Sequence, residues 1–288
     1  MRVCLYGNPT AGGGTSLDDL AAMILKAGHH VVTVVEDVRD ARPLLDSTLE
    51  CVVAAGGDGT IARAARALVG SQLPLAVLPV GTANNIARSL GVDGDPEALI
   101  ARWHPERVGR MDVGVIDIGG RRSYFVESVG CGLVTDCIAE ANETIAKDDP
   151  ETHLAEARQL YVDTLDRLAH RHYEIRLDDE TIEGDFLAVE ALNTPSIGPR
   201  VEFAAGANAA DGLLSVVTVA EADRHQLAGY LEALRAGDAA PAGLESWRVR
   251  AIAISGAERI HVDDQVMQVE PTRPISIRIL PSALLVLT

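Results

Sequence analysis

The sequence predicts an α/β domain followed by an antiparallel β domain. Two observations predict it. Through about residue 115, short apolar runs alternate with amphipathic stretches, a β-α-β repeat that requires a mostly parallel sheet with helices on its faces. After Asp112 strands dominate, broken by turn residues such as Gly119-Gly120 and Asp178-Asp179, which reads as a β-sandwich. The domains are therefore expected at 1–115 and 116–276.

In the first part the strands are Val3–Tyr6, Val31–Val35, Cys51–Ala55 and Leu75–Leu78. Between them lie Leu17–Lys26, Ala41–Leu45 and Ile61–Val69, with a short helix at Ile86–Leu90. Ser16 is a good cap for the first helix, and Asp18 and Asp19 suit its positive end. The second part reads as strands at Val113–Ile118, Ser123–Val129, Tyr173–Leu177, Leu187–Ala191, Leu214–Val219, Arg248–Ile254, Arg259–Val262 and Ile275–Leu280. Leu154, Ala157, Tyr161, Leu165 and Leu168 form one apolar stripe on a helix of about five turns. His225–Arg235 forms another, closed by Gly237, and Ala239–Gly243 reads as a loop.

Three glycine turns follow successive strands: Asn8–Gly14, Gly56-Gly57-Asp58-Gly59-Thr60, and Pro79–Asn85. Glycine there lets the main chain approach a ligand closely, and the following helix points free N–H groups and its positive dipole end into the turn. In an open α/β sheet the carboxyl edge of the strands is where ligands bind. The three together predict a nucleotide phosphate site, with hydroxyls from Thr10, Thr60 and Thr82 at the same edge. No Lys-Ser or Lys-Thr follows any of these turns, and Lys26 and Lys147 are the only lysines, so this is not a Walker loop. The spaced G-x-G-x-x-G of a dinucleotide fold is also missing.

Taken together, these segments resemble the catalytic-domain family of diacylglycerol and sphingosine kinases, distant relatives of NAD kinases and phosphofructokinases. The resemblance runs through Asn8–Gly12, Gly56–Thr60 and Gly81–Asn84, then Arg110–Gly114 and Gly130-Cys131-Gly132. It continues at Ala210–Leu214 and in the tail Ile277–Leu287. It implies that strands 277–288 pack back on the first domain and that a cleft lies between the domains. It also implies ATP and magnesium as cofactors, with Asn8, Thr10, Gly12, Gly56, Gly57, Asp58, Gly59, Thr60, Gly81, Thr82 and Asn84 around the nucleotide.

Asp58 lies inside an anion site, where a carboxylate is repelled unless it serves a metal, a ribose hydroxyl or a proton. The resemblance assigns it to nucleotide and magnesium; capping the following helix is the other reading. Arg158 falls where relatives carry a basic residue and would reach the phosphates, or be an exposed helical arginine. Asp211 matches a carboxylate that holds a structural magnesium with main-chain oxygens, here those of Asn208 and Leu213. An Asp-Gly turn is its alternative. His261–Gln265 matches a segment read "DGE" in the family, whose acids serve the lipid hydroxyl as general base. Asp263 matches, Asp264 replaces the glycine and Gln265 the glutamate. An amide cannot accept a proton at neutral pH, so Asp263 or Asp264 is left to substitute. Val35 stands where many relatives have threonine, Asn85 for the usual aspartate, and Glu127 for an asparagine.

Composition narrows the partners. The 288 residues carry 42 acids against 25 Lys and Arg, a formal charge of −17, which excludes a nucleic-acid footprint and opposes adsorption to anionic lipid. No apolar run approaches a membrane helix, and Met1-Arg2 leads straight into a strand, so a cytoplasmic protein with at most transient peripheral contact at the inner membrane face is expected. Cys4, Cys51, Cys131 and Cys137 read as buried free thiols. His170 and His172 are expected at a helix end, and His29-His30 on the surface. The combined expectation is an ATP-dependent lipid kinase of the diacylglycerol kinase type. A catalytically impaired nucleotide- or lipid-binding homologue, or a kinase of a soluble hydroxylated metabolite, are the alternatives.

Overall fold

The computed structural model describes residues 1–7, 15–36, 42–145, 150–238 and 242–288. Asn8, Thr10 and Gly12 of the first glycine turn lie outside the described residues, as does most of the Ala239–Gly243 loop. The first part is built on β1 (Arg2–Gly7), β2 (His30–Val35), β3 (Cys51–Gly56) and β4 (Leu75–Pro79), parallel in the order β2-β1-β3-β4. The central strands are apolar at nearly every position because both faces are covered. The helices here are α1 (Leu17–Lys26), α2 (Asp58–Leu68), α3 (Asn85–Ser89) and α4 (Pro96–Ile100). At the start of α1, Ser16 Oγ accepts from the Asp19 N–H while Asp19 reaches back to Ser16 N–H, a reciprocal cap. Of the Ala41–Leu45 stretch, Arg42–Leu45 is a single 3₁₀ turn.

The chain continues through β5 (Val108–Ile118), β6 (Arg121–Phe125), β7 (Ser128–Gly132), α5 (Leu133–Thr144) and α6 (Pro150–Arg167). Next come β8 (Arg171–Leu177), β9 (Glu180–Leu192), the short β10 (Ser196–Ile197) and β11 (Val201–Glu202), β12 (Leu214–Ala220) and α7 (Arg224–Ala236). The last strands are β13 (Ser246–Val249), β14 (Ala251–Ser255), β15 (Arg259–Val262), β16 (Gln265–Gln268) and β17 (Ile275–Leu287). Apart from β10 and β11, they pair antiparallel along β16-β15-β7-β9-β8-β14-β17, with β12 beside β9, β13 beside β12 and β6 beside β5. Strand β17 joins the two parts. Its first half pairs with β14, both halves pair with β5, and Val286 and Leu287 run parallel to Leu75 and Ala76 of β4. The fold is thus a mixed sheet with parallel N-terminal strands and a C-terminal β-sandwich. Its sandwich core includes Ile175, Val189, Ile252, Ile260 and Ile277. A second cluster, with Leu133, Tyr161, Leu165, Leu187 and Leu231, seats α5, α6 and α7 against β9.

The departures from the sequence reading have physical causes. The stretch Ser123–Val129 is two strands, because the N–H groups of Val126, Glu127 and Ser128 turn to the carboxylate of Asp263. Arg248–Ile254 is also two, because the N–H groups of Arg250 and Ala251 turn to Asp178. Helix α5 follows β7 without a polar cap residue, and Thr135 on it hydrogen-bonds inward to Gly130 O and His261. His172 sits in β8 between Glu183 and Asp185, not at a helix end. All four cysteines are buried and free. Among the described residues no helix is long and apolar enough to cross a membrane.

Candidate active site

The second and third glycine turns meet. A Cβ on Gly81 would overlap the Gly57 Cα, so backbone lies on backbone and no side chain fits between the turns. Asn84, at φ 54°, closes the third turn with its own amide, accepting from Gly81 N–H at 3.1 Å and donating to Pro79 O and Gly81 O. Asp58, the first residue of α2, reaches across to accept the Ile86 N–H at 2.8 Å. Burial raises its proton affinity, and main-chain N–H groups including those of Ile86, Asn85 and Asn84 pull it back. Asp58 therefore caps α3 and locks the second turn to the third. Thr60 is buried against Gly56, whereas Thr82 is half-exposed.

From the other side, the turn between β15 and β16 covers the Gly56–Thr60 segment. Asp264 Oδ2 lies 2.7 Å from where a Cβ on Gly59 would sit. It pairs with Arg63 at 3.2 Å, and Asp263 pairs with Arg66 at 2.8 Å, both arginines on α2. Asp263 is almost fully buried, at φ 50°, and also accepts from the N–H groups of Val126, Glu127 and Ser128. Burial nevertheless pushes its carboxyl up to about 6 against those donors and Arg66. Held by Arg66 and by main-chain N–H groups, Asp263 is an anchor between the two parts. Gln265 opens β16 and is exposed.

A fourth acid completes the cluster. Glu127 Oε1 accepts from Asn85 Nδ2 at 2.8 Å, joining two residues that are far apart in the chain. Burial first, then the charges of Asp58 and Asp263, raises its proton affinity well above the usual carboxylate range. Beside the third turn, Arg200 donates to Thr82 O and Ala83 O at 3.1 Å each. Its proton affinity is lowered by burial and by the nearby cations Arg88 and Arg158. Arg158 itself donates to Pro199 O and Leu234 O. Arg200 is thus the guanidinium that touches the third turn, with Arg88 and Arg158 near it.

The remaining expected residues are elsewhere. Asp211 accepts from Leu213 N–H and pairs with Arg248, while Asn208 accepts from Ala210 N–H. Buried Asp112 holds the same loop through Gly212 N–H and also binds Ser282 N–H. Arg248 thus occupies one carboxylate oxygen of Asp211 and the Leu213 N–H the other. Among the described residues no group of three or more His, Cys, Asp or Glu is arranged for a metal. A groove of about 590 Å³ in the second part is lined by charged groups, including Asp136, Glu140, Arg167 and Arg259, not by an apolar wall. Sequence reasoning missed Arg63, Arg66 and Arg200. The three-residue spacing of Arg63 and Arg66 on the helix after the turn was the available signal, since it places both on one face.

The architecture has relatives. The diacylglycerol kinase catalytic domain family matches residues 2–116, and the YegS C-terminal NAD kinase beta sandwich-like domain family matches residues 136–288. The chain is 28% identical over 241 residues to a diacylglycerol kinase of Mycobacterium tuberculosis, covering 77% of this chain and 74% of that one. It is 30% identical over 221 residues to a Pseudomonas fluorescens protein named probable lipid kinase YegS-like, covering 74% and 69%. The fold matches the crystal structure of a diacylglycerol kinase from Bacillus anthracis with a TM-score of 0.75 at 20% identity, over 99% and 96% of the two chains. It also matches an NAD kinase from Archaeoglobus fulgidus in complex with ATP, with a TM-score of 0.56 at 12% identity, over 100% and 94%.

Proposed function

The chain belongs to the diacylglycerol kinase catalytic-domain family and is a kinase. From that premise we propose that it transfers the γ-phosphoryl group of ATP to a hydroxyl of a lipid acceptor. The observation that carries the reading is the contact of Gly57 with Gly81, which joins two phosphate-type turns at the amino end of α2. Main-chain N–H groups there, with the helix dipole, would receive the phosphates. Arg200, Arg88 and Arg158 add positive charge beside them. The named activities of the relatives support a lipid as acceptor, and the ATP complex of the NAD kinase supports ATP as donor.

Phosphoryl transfer asks the protein chiefly for positioning and electrostatic stabilisation. Asp58 holds the two turns together, while Asp263 and Asp264 hold the second part over them through Arg66 and Arg63. Magnesium, which spreads phosphate charge in such reactions, would enter with the nucleotide. With a formal charge of −17, contact with an anionic bilayer would be transient. A soluble hydroxylated acceptor is the other reading, which the acidic charge suits better than a membrane.

Radiolabelled transfer from ATP–magnesium to a panel of diacylglycerol, sphingoid and water-soluble hydroxyl acceptors decides between them. Label in a lipid supports the proposal. Label only in a soluble acceptor gives the reaction a different substrate, and ATP binding without transfer to any acceptor makes the chain a non-catalytic homologue.

A further inference from the structure

Behind the β15–β16 turn, Glu190 and His261 are almost fully buried. They flank Gly130 in one row across three strands, Glu190 on β9 and His261 on β15 each standing opposite that glycine on β7. A Cβ on Gly130 would overlap the Glu190 carboxyl, so the bare glycine is what lets the acid reach across to the ring. Glu190 Oε2 lies 3.3 Å from His261 Nε2.

The hydrogen bonds fix where the protons are. Thr135 Oγ1 donates its one proton to Gly130 O at 3.1 Å, so it accepts from His261 Nδ1 at 3.0 Å. Nδ1 therefore carries the ring proton, and the Nε2 lone pair faces Ser128 Oγ at 3.2 Å and Glu190 Oε2. Neither carboxyl oxygen of Glu190 accepts a hydrogen bond among the described residues, which is not the state of an ion-paired carboxylate. As a carboxylic acid, Glu190 instead donates to Nε2. Burial acts in the same direction, raising the acid well above its ordinary range and pushing His261 down to about 3. The other titratable groups facing Glu190, Cys131 from β7 and Tyr161 from α6, are kept neutral by burial as well. Val217 on β12, opposite Glu190, and Val266 on β16, opposite His261, are apolar.

The pair sits where the turn is thinly held. Strand β15 pairs with β7 at two positions, His261 with Gly130 and Val262 with Val129, and β16 beyond it is the edge of the sheet. From there the Asp263 N–H donates to Ser128 O at 2.8 Å and the chain enters the turn that covers Gly56–Thr60. We propose that Glu190, as an uncharged acid, and His261 are positioning residues that hold the β15–β16 turn, with Asp263 and Asp264, over the Gly56–Thr60 segment. This rests on the kinase reading, in which that segment takes phosphates. Neither residue touches nucleotide or acceptor; each acts through the placement of the turn. Ionising Glu190 sets a carboxylate against the Nε2 lone pair and loosens β15 from β7, so the clamp fails as pH rises through the raised value of the acid.

Two variants of the full chain test it. Glu190→Gln keeps a donor for Nε2 and cannot ionise, whereas Glu190→Ala removes the donor. The readouts are phosphorylation of dioctanoylglycerol with ATP–magnesium, ATP affinity by calorimetry, and amide exchange of residues 259–266. For Glu190→Ala the expected result is a fall in kcat of about 10²-fold, ATP affinity within about 3-fold of the parent, and faster exchange in 259–266. Glu190→Gln is expected to keep parental kcat and exchange at neutral pH and to lose the alkaline decline of the parent. Denaturant unfolding reads the proton itself, because the folded parent keeps on Glu190 a proton that the unfolded chain releases above 4.5. The stability from that proton is full below 4.5 and is lost as pH rises through the raised folded value. From about pH 5 to 7 the parent's unfolding constant should therefore rise about tenfold per pH unit relative to Glu190→Gln. A ratio flat in pH means that Glu190 is ionised and overturns the proposal. So does Glu190→Ala with parental kcat and exchange, or Glu190→Gln as impaired as Glu190→Ala. A parent that binds ATP but phosphorylates no hydroxyl overturns the kinase reading instead, while exchange and unfolding still judge the clamp.

Discussion

The two sides of the candidate site, the glycine turns and the acid cluster over them, are built by opposite rules. The turns are local: a strand end, a glycine turn and a helix start, repeated, with Gly57 and Gly81 touching through bare backbone. The acid cluster is assembled from distant chain segments, with Asp263 from the β15–β16 turn, Glu127 from the β6–β7 connection, Asn85 from α3 and Arg66 from α2. Backbone geometry tolerates little change on the first side. The second depends on ion pairs and hydrogen bonds between residues far apart in the chain.

The largest expected effect on ATP binding breaks the local side. Gly81→Val drives a branched side chain into Gly57, and ATP affinity should fall by up to about 100-fold, the scale of an overpacking strain of about 1–3 kcal/mol. Calorimetry with ATP–magnesium on the folded variant measures it; parental affinity would put the phosphates elsewhere. Next comes the latch between the sides. Arg66→Ala leaves Asp263 buried without its cation and should cost about 3–5 kcal/mol in denaturant unfolding. Arg63→Ala, in a pair more than a third exposed on both sides, should cost at most about 1 kcal/mol.

Asp263 also gives the latch a pH dependence. Its carboxyl is raised from 3.8 to about 6 in the folded protein, so the folded state binds the proton more tightly than the unfolded chain. The stability from this group is full below 3.8 and is lost as pH rises through about 6, by up to about 3 kcal/mol. The difference in unfolding free energy between the parent and Asp263→Asn, followed from pH 4 to 7, should show that slope. A difference that is flat in pH would mean Asp263 is not desolvated. The smallest effect concerns Gln265. Being exposed, Gln265→Glu should change phosphoryl transfer by no more than about 3-fold, below the usual range for a general base. A rise of tenfold or more would return the base to the β15–β16 turn.

The same contrast explains what the sequence could convey. The parallel strands, α1 with its Ser16 cap, and the Gly56–Thr60 and Gly81–Asn84 turns are written in contiguous residues, so periodicity and turn chemistry disclose them. The division of Ser123–Val129 into two strands depends on a carboxylate about 136 positions away, and no local pattern carries that information. The break at Arg250, where Asp178 takes main-chain N–H groups, has the same cause. Asp263 drew attention through a family motif, yet its engagement by Arg66 and three N–H groups depends on tertiary contacts. Glu127 and Asn85 were each visible as departures, but their partnership across 42 positions was not. The pairing of Asp211 with Arg248, which arrives from β13, was likewise invisible in the local sequence.

Amide hydrogen exchange with and without saturating ATP–magnesium tests the two-sided site most directly. The account predicts slowed exchange in 56–62 and 79–87, where the turns would take the phosphates, with little change in 126–130 and 208–213 until a lipid acceptor is added. Binding of ATP that leaves 56–62 and 79–87 unprotected, or that protects 208–213 instead, would contradict it.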